Sequence, residues 1–438
     1  MTTIRLFFVL IASFAAGSTP ALAERPVTQP RSASADAGDT GGATLRVPVP
    51  EPSERAMERY RSGNLLWVVS QLVALAIPAM LLFTGFSARM RSLAGRIGRR
   101  WFFIVAVYFI LYSLLAYVLE WPLAYYAGFV WQHAYGLSNQ TFARWFAESL
   151  KGLAFATLFG CLILWIPYLL IRRSPRRWWL YGGLLALPLM IFVTMIEPIW
   201  VAPLFNRFGP MKDRQLESRI LALAQRAGIE GSRVFEVDKS ADTKTVNAYM
   251  TGVFGTKRIV LWDTLLAKLD DDQVLAVMAH EMGHYVLNHI AMGILVATLG
   301  AVVGLYLVYR LSNVFLRRAK GRFGFDRLDD VASLPLLMLV LQLVSLVLMP
   351  LGLAYSRHIE RQADQFALEL THDNHAAATS FVRLQEANLS NPRPGLLFTL
   401  WRGSHPSLAE RIEFANDYRP WERGEPLQYG HLFAPKAK

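Results

Sequence analysis

Six long apolar blocks constrain this chain more than any other feature. They lie near residues 64–86, 101–120, 149–171, 178–200, 291–309 and 333–355, and few charges interrupt them. A helix needs about 20 apolar residues to cross a hydrocarbon core about 30 Å thick. The carboxylates at their edges, Glu120 and Glu197, neighbour Pro122 and Pro198. With 53% hydrophobic residues arranged in this way, the chain reads as an all-α polytopic membrane protein, not as soluble domains. The lone cysteine, Cys161, lies inside a block, which excludes an intrachain disulfide.

The N-terminus has a different build. Residues 1–23 combine Arg5, a short apolar stretch from Leu6 to Ala16, and Ala21-Leu22-Ala23 before Glu24. That pattern reads as a secretory signal peptide, the alternative being an uncleaved first anchor. Residues 24–60, rich in Ser, Ala, Gly, Thr and Pro at their start, read as a disordered linker. Four spans are then expected within 61–205, a polar region over 206–290, two further spans within 291–355, a second polar region over 356–425, and a tail from 426 to 438.

The net charge of +12 points to the membrane and not to nucleic acid, because of where it sits. Residues 87–100 carry five arginines and no acid, 172–177 carry four arginines, and 315–332 carry five basic against three acidic residues. The alternate segments are neutral: 24–63, 121–148, 201–288 and 356–438 each balance acid against base. Basic short loops stay on the cytoplasmic side. Both polar regions are therefore expected outside the cytoplasm, facing the periplasm of a bacterial inner membrane or an equivalent lumen.

The first polar region contains DDDQVLAVMAHEMGHYVLNHI, residues 270–290. Asp270–Asp272 suit a helix start, and the helix is expected to continue into the fifth span. On it, His280 and His284 fall one turn apart on one face and can converge on one metal ion. Glu281 projects beside them, placed to take a proton from an activated water. A catalytic zinc needs a third protein ligand and an open position. The downstream histidine of one known pattern is absent, since Leu287 and Ile290 occupy those places. The sixth block is followed by YSRHIERQADQFALEL, 355–370, where Glu360 and Asp364 share a helical face. There Glu360 can ligate while Asp364 accepts a ring N–H from a histidine ligand. One Zn²⁺ per chain is expected.

Together, His280–His284, the stretch Ser356–Asp364 and Asn247–Leu266 resemble the type I CAAX prenyl endopeptidases, a family of integral-membrane zinc metalloproteases. Trp121–Tyr126, Gly136–Thr141, Ala202–Phe208 and His405–Ile412 add to the resemblance, which spans roughly residues 60–420. It implies spans that enclose a chamber, with a gluzincin-like peptidase domain carrying a small β element at one end. It also implies His280, His284 and Glu360 as ligands and Glu281 as general base and acid.

Residues 233–238 and 257–263 read as strands with 247–253 between them. By similarity to zinc peptidases, Asn247, Ala248 and Tyr249 form a strand edge against which a peptide lies extended. His405 and Arg411 are candidate catalytic donors to the oxyanion formed on attack. His133, His289, His372, His375 and His431 lack partner spacing and read as interfacial or surface residues.

The expected activity is zinc-dependent endoproteolysis of membrane-associated, lipidated or damaged exported proteins. Its expected partners are peptide or protein substrates and the lipid bilayer. CAAX-type cleavage is the alternative. A non-catalytic scaffold or transporter with a structural zinc is the rival from another class, but structural zinc sites are usually closed and cysteine-rich.

Overall fold

A computed structural model describes residues 46–251 and 258–434. The leader, the linker up to residue 45, and residues 252–257 and 435–438 lie outside the described residues. Among the described residues, six helices are long and apolar enough to cross a membrane: span I (Glu54–Phe83), II (Trp101–Ala134), III (Phe142–Arg173), IV (Trp178–Phe205), V (His289–Ala319) and VI (Val331–Thr371). Each matches one of the six apolar blocks, though span I ends three residues short of the first block's expected end at 86.

The spans form a ring. Span I packs on VI, VI on V, V on IV, IV on the second half of III, III on II, and II back on I. Only 11–39% of each span's most apolar window is buried within the protein, far less than a tightly packed bundle requires. A helix in a ring keeps two free faces, one toward lipid and one toward an enclosed chamber. Close packing is reserved for the seams. At Gly183 of span IV an added Cβ would lie 2.8 Å from the Val302 Cα of span V, so small residues bring these helices together.

Short elements close the two ends. Helix α1 (Phe86–Gly98) occupies the arginine-rich stretch between spans I and II. Its Met90 and Ala94 share a core with Phe323, Phe325 and Leu328 from the basic loop before span VI and with Trp178 at the head of span IV. All three arginine-rich segments therefore gather at one end. Trp178, though at a span end, is buried there and not placed in an interfacial belt.

The opposite end holds the mixed peptidase region: helix α2 (Arg214–Arg226), helix α3 (Asp271–Val286), helix α4 (Asn374–Ala387), the short helix α5 (Leu396–Trp401) and helix α6 (Leu408–Asp417). A four-stranded sheet sits among them, built from β1 (Phe208–Pro210), β2 (Arg233–Val237), β3 (Ala248–Thr251) and β4 (Arg258–Trp262). Its order is β1-β2-β4-β3, with β2 parallel to β4 and β3 antiparallel to β4. Strand β3 is thus an edge.

Three boundaries differ from the sequence reading. The helix of span VI runs unbroken from Leu334 to Thr371, 38 residues, or about 57 Å. It enters the peptidase region with no break at residue 355, because a helix satisfies its own backbone on both sides of the interface. The motif helix, in contrast, does not continue into span V. Helix α3 ends at Val286, and Asn288 turns the chain at φ +56°, a conformation asparagine tolerates. The linker is also shorter than expected. Val47 exchanges hydrogen bonds with Asn416, the Pro50 carbonyl accepts from Gln385, and span I has begun by Glu54. Those bonds supply backbone partners that composition does not reveal.

Candidate metal centre

Helix α3 starts from Asp270, whose side chain accepts from the Gln273 N–H while the Gln273 side chain accepts from the Asp270 N–H. This capping box sets the helix phase and hence the face that carries His280 and His284. Gly283, inside the motif, lies against span VI. A Cβ there would come 3.2 Å from the Ala363 Cα and 3.1 Å from the Phe366 ring. The glycine lets the two helices approach until their donor atoms meet.

His280 Nε2 and His284 Nε2 are 3.2 Å apart. Glu360 places its two carboxylate oxygens 3.2 Å from His280 Nε2 and 3.4 Å from His284 Nε2. An ion bound tetrahedrally at about 2.0–2.1 Å needs donor separations of about 3.3 Å. The triangle fits. Glu360 is 1% exposed, and its Oε2 accepts no well-directed hydrogen bond. A buried carboxylate oxygen left in this state asks for a cation.

The surrounding groups hold the triangle. His280 Nδ1 donates to Asp364 Oδ1 at 2.8 Å, and Arg411 grips Asp364 through Nε and Nη2 at 2.9 and 2.6 Å. Arg411 also stacks over Phe381 at 4.2 Å. Burial alone would lower the His280 pKa, but the Asp364 and Glu360 carboxylates outweigh it and hold the ring up to about 10. That is a strongly negative pocket, suited to a dication.

Comparison with known proteins shows the family. Residues 210–419 match the family described as Peptidase family M48, and residues 51–207 match the CAAX prenyl protease N-terminal family of five membrane helices. The metalloprotease YhfN of Bacillus subtilis is 36% identical over 368 residues, covering 83% of this chain and 86% of the relative. The chain belongs to peptidase family M48.

Other M48-type relatives extend the picture. CAAX prenyl protease 1 of Saccharomyces cerevisiae is 31% identical, covering 70% of this chain and 71% of the relative. The crystal structure of S. mikatae Ste24p superposes with a TM-score of 0.73 at 26% identity, covering 83% of this chain and 88% of that one. The protein is therefore an integral-membrane metalloprotease with a helical membrane domain.

Beside the candidate metal centre of this M48 protein lies a pocket of about 120 Å³, lined among others by His280, Glu281, His405, Arg411, Asn247 and Ala248. Burial pushes the Glu281 carboxyl up, while His280 and His284 pull against it. The sequence HPSLAER folds locally through a second capping box: Ser407 caps α6 and Glu410 returns the bond. This leaves His405 just ahead of the helix and Arg411 one turn inside it. His405 Nε2 lies 3.2 Å from Glu360 Oε2, and its Nδ1 is 2.8 Å from Ser404 Oγ.

The structure brings all the expected residues into this region, with two changes of part. Tyr249 does not line the pocket, because side chains alternate along β3; burial raises its hydroxyl pKa to about 12. His289 was read as an interfacial or surface residue and is instead 6% exposed, with Nδ1 2.9 Å from His284 Nδ1. The five-residue separation carries no helical signal. Only the turn at Asn288 folds His289 back onto the motif.

A further contact ties the membrane to the site. Pro350 has no N–H to offer the Leu346 carbonyl four residues earlier. Trp401 Nε1 donates to that carbonyl at 2.9 Å, and Arg357 donates to the Thr399 and Gly403 carbonyls at 2.6 and 2.8 Å. The segment that ends at His405 is thus fastened along span VI.

Proposed function

We propose that the protein is a zinc-dependent endopeptidase that cuts membrane-associated, lipidated or damaged exported proteins. One observation carries this reading: His280 of the His280–His284–Glu360 triangle lines a pocket together with Glu281 and with Ala248 of the edge strand β3. Two imidazoles and a carboxylate suit zinc over harder ions. A zinc ion held by these residues would supply Lewis acidity, polarising a carbonyl and acidifying water.

The remaining roles belong to the chain itself. The free edge of β3 at Ala248, with Asn247 beside it, pairs with an extended peptide, which asks little of its sequence. Glu281 takes the proton from the attacking water and delivers it to the leaving amine, a double duty that a raised pKa favours. His405 donates toward the oxyanion. Arg411 is better read as a positioning residue than as an oxyanion donor, because its Nε and Nη2 are engaged by Asp364. Asp364 in turn fixes the His280 tautomer, with Nδ1 protonated and Nε2 left for the metal.

Orientation favours exported substrates. The arginine-rich segments meet at the end opposite the pocket, and basic loops remain cytoplasmic. The peptidase end then faces the periplasm of a bacterial inner membrane, away from where prenylated CAAX tails are made. Cleavage of such tails remains the second reading, favoured by the likeness to yeast CAAX prenyl protease 1.

The test is peptide cleavage by detergent-purified protein, wild type against Glu281→Gln, with bound metal quantified in both. The expected result is cleavage lost with one zinc retained. Equal cleavage by both proteins would overturn the role of Glu281. A cysteine introduced in α4 of a Cys161→Ser protein should react with an impermeant thiol reagent from the periplasmic side. Labelling only after the cytoplasmic side is exposed would reverse the orientation.

A further inference from the structure

Away from the metal, the most unusual charges in the molecule are two arginines at the catalytic end of span I. Arg59 is half-buried beneath the 388–389 turn, where its Nη1 donates to the Asn388 carbonyl at 3.0 Å. Its guanidinium lies 5.2 Å from the Trp131 ring centroid, and its Nε is buried with no hydrogen-bond partner. Arg402, just past α5, donates to Asn64 Oδ1 and lies 5.0 Å over Phe398. It is close enough to Arg59 for the two cations to repel. Among the described residues neither forms an ion pair. Gly63 keeps the space between them open: a Cβ there would sit 3.4 Å from the Trp131 ring and 3.7 Å from Arg402 Nη2.

Two like charges drawn out of water with only neutral acceptors are costly to maintain. An anion touching both would remove the repulsion. Guanidinium forks match the oxygens of a phosphate in particular. The surroundings indicate what carries that phosphate. The pair lies at the head of a membrane span, beside Trp131 and Tyr60, the residue types that mark a bilayer interface. Just before Arg402 in the chain, helix α5 exposes Leu396 at 73% and Leu397 at 41%, although the same helix is bonded to span VI through Trp401. Two cations beside an exposed apolar strip match the two parts of one lipid molecule.

We propose that Arg59 and Arg402 bind the phosphate of an anionic phospholipid, whose acyl chains cover Leu396 and Leu397. The bound lipid bridges span I to the 396–405 segment. The site is independent of the peptidase reading, and its test does not use activity.

The experiment is native mass spectrometry of the full chain with added dioleoyl phosphatidylglycerol or dioleoyl phosphatidylcholine. The expected result is one tightly retained phosphatidylglycerol per chain, in preference to phosphatidylcholine. Arg59→Gln/Arg402→Gln should weaken its retention on the order of tenfold to thirtyfold, Arg59→Lys/Arg402→Lys less, and Arg61→Gln, at an exposed position on the same helix, not at all. Equal retention of both lipids by the unaltered chain overturns the proposal without reliance on any variant. Displacement of the lipid by millimolar inorganic phosphate overturns it in favour of a soluble anion. Displacement by a peptide with a free C-terminal carboxylate, but not by its amide, reassigns the arginines to substrate.

Discussion

The helix of span VI begins and ends in deeply buried polar groups, but of different kinds. At its start, Ser333 is fully buried, donating to the Leu328 carbonyl at 2.7 Å and lying 3.2 Å from the Tyr168 hydroxyl. Nearby, the Ser87 hydroxyl donates to the Ala332 carbonyl at 2.6 Å and meets the Tyr108 hydroxyl at 2.7 Å. The arginines of that end stay at the surface or are only part-buried, as Arg91 is in its pair with Asp330. Toward the other end of the helix, Glu360 and Asp364 are equally buried but charged, amid His280, His405 and Arg411. Neutral hydrogen bonds satisfy a buried junction at little net cost. Buried charges do so only when every member is paired. The protein keeps them around the candidate metal centre and uses hydroxyls where only helices must join.

That contrast can be broken by experiment. The largest effect is expected from Glu360→Gln, which removes the ligand charge: bound metal should fall to background and peptide cleavage with it. Full metal occupancy in this variant would mean that the triangle is not the centre. Next comes Asp364→Asn, which strips His280 of its acceptor and leaves Arg411 buried without a counter-charge. Metal affinity should drop about 10–100-fold and stability by about 3–5 kcal/mol, read by metal titration and thermal unfolding. Gly283→Ala should cost about 1–3 kcal/mol by forcing Phe366 and Ala363 away, and should loosen the metal without touching a ligand.

At the hydroxyl end, Tyr108→Phe should cost only about 1 kcal/mol and leave metal content unchanged. A loss as large as that of Asp364→Asn would erase the distinction between the two ends. The smallest effect is expected for Trp401→Phe, which deprives the Leu346 carbonyl of its donor. A loss of about 0.6 kcal/mol is usual for such bonds in membranes, and any drop in kcat at unchanged KM would show that the latch reaches His405.

Much of this was legible in the sequence, because it rests on local periodicity. A block of apolar residues declares a span through its length alone. His280, Glu281 and His284 declare a metal helix through four-residue spacing, and Glu360 followed by Asp364 does so more weakly. His289 was illegible for the same reason: its approach to His284 depends on one left-handed residue, Asn288, and not on a repeat. The described end of the 24–60 stretch was illegible for the same reason, since the side chains that meet its backbone, Asn416 and Gln385, come from far along the chain.

The sequence by itself determined the six apolar helices among the described residues, the charge asymmetry between the two ends and the face of α3 that carries His280 and His284, all of which depend on neighbours within a few turns. Only the tertiary structure decided that the spans close into a ring, that Arg411 commits its guanidinium to an aspartate 47 residues away, and that a tryptophan supplies the donor a proline withholds from a helix carbonyl 55 residues earlier. Pairings at that range are chosen by burial. A charge or a carbonyl withdrawn from water must find its partner wherever the fold delivers one, and no short window of sequence records where that will be.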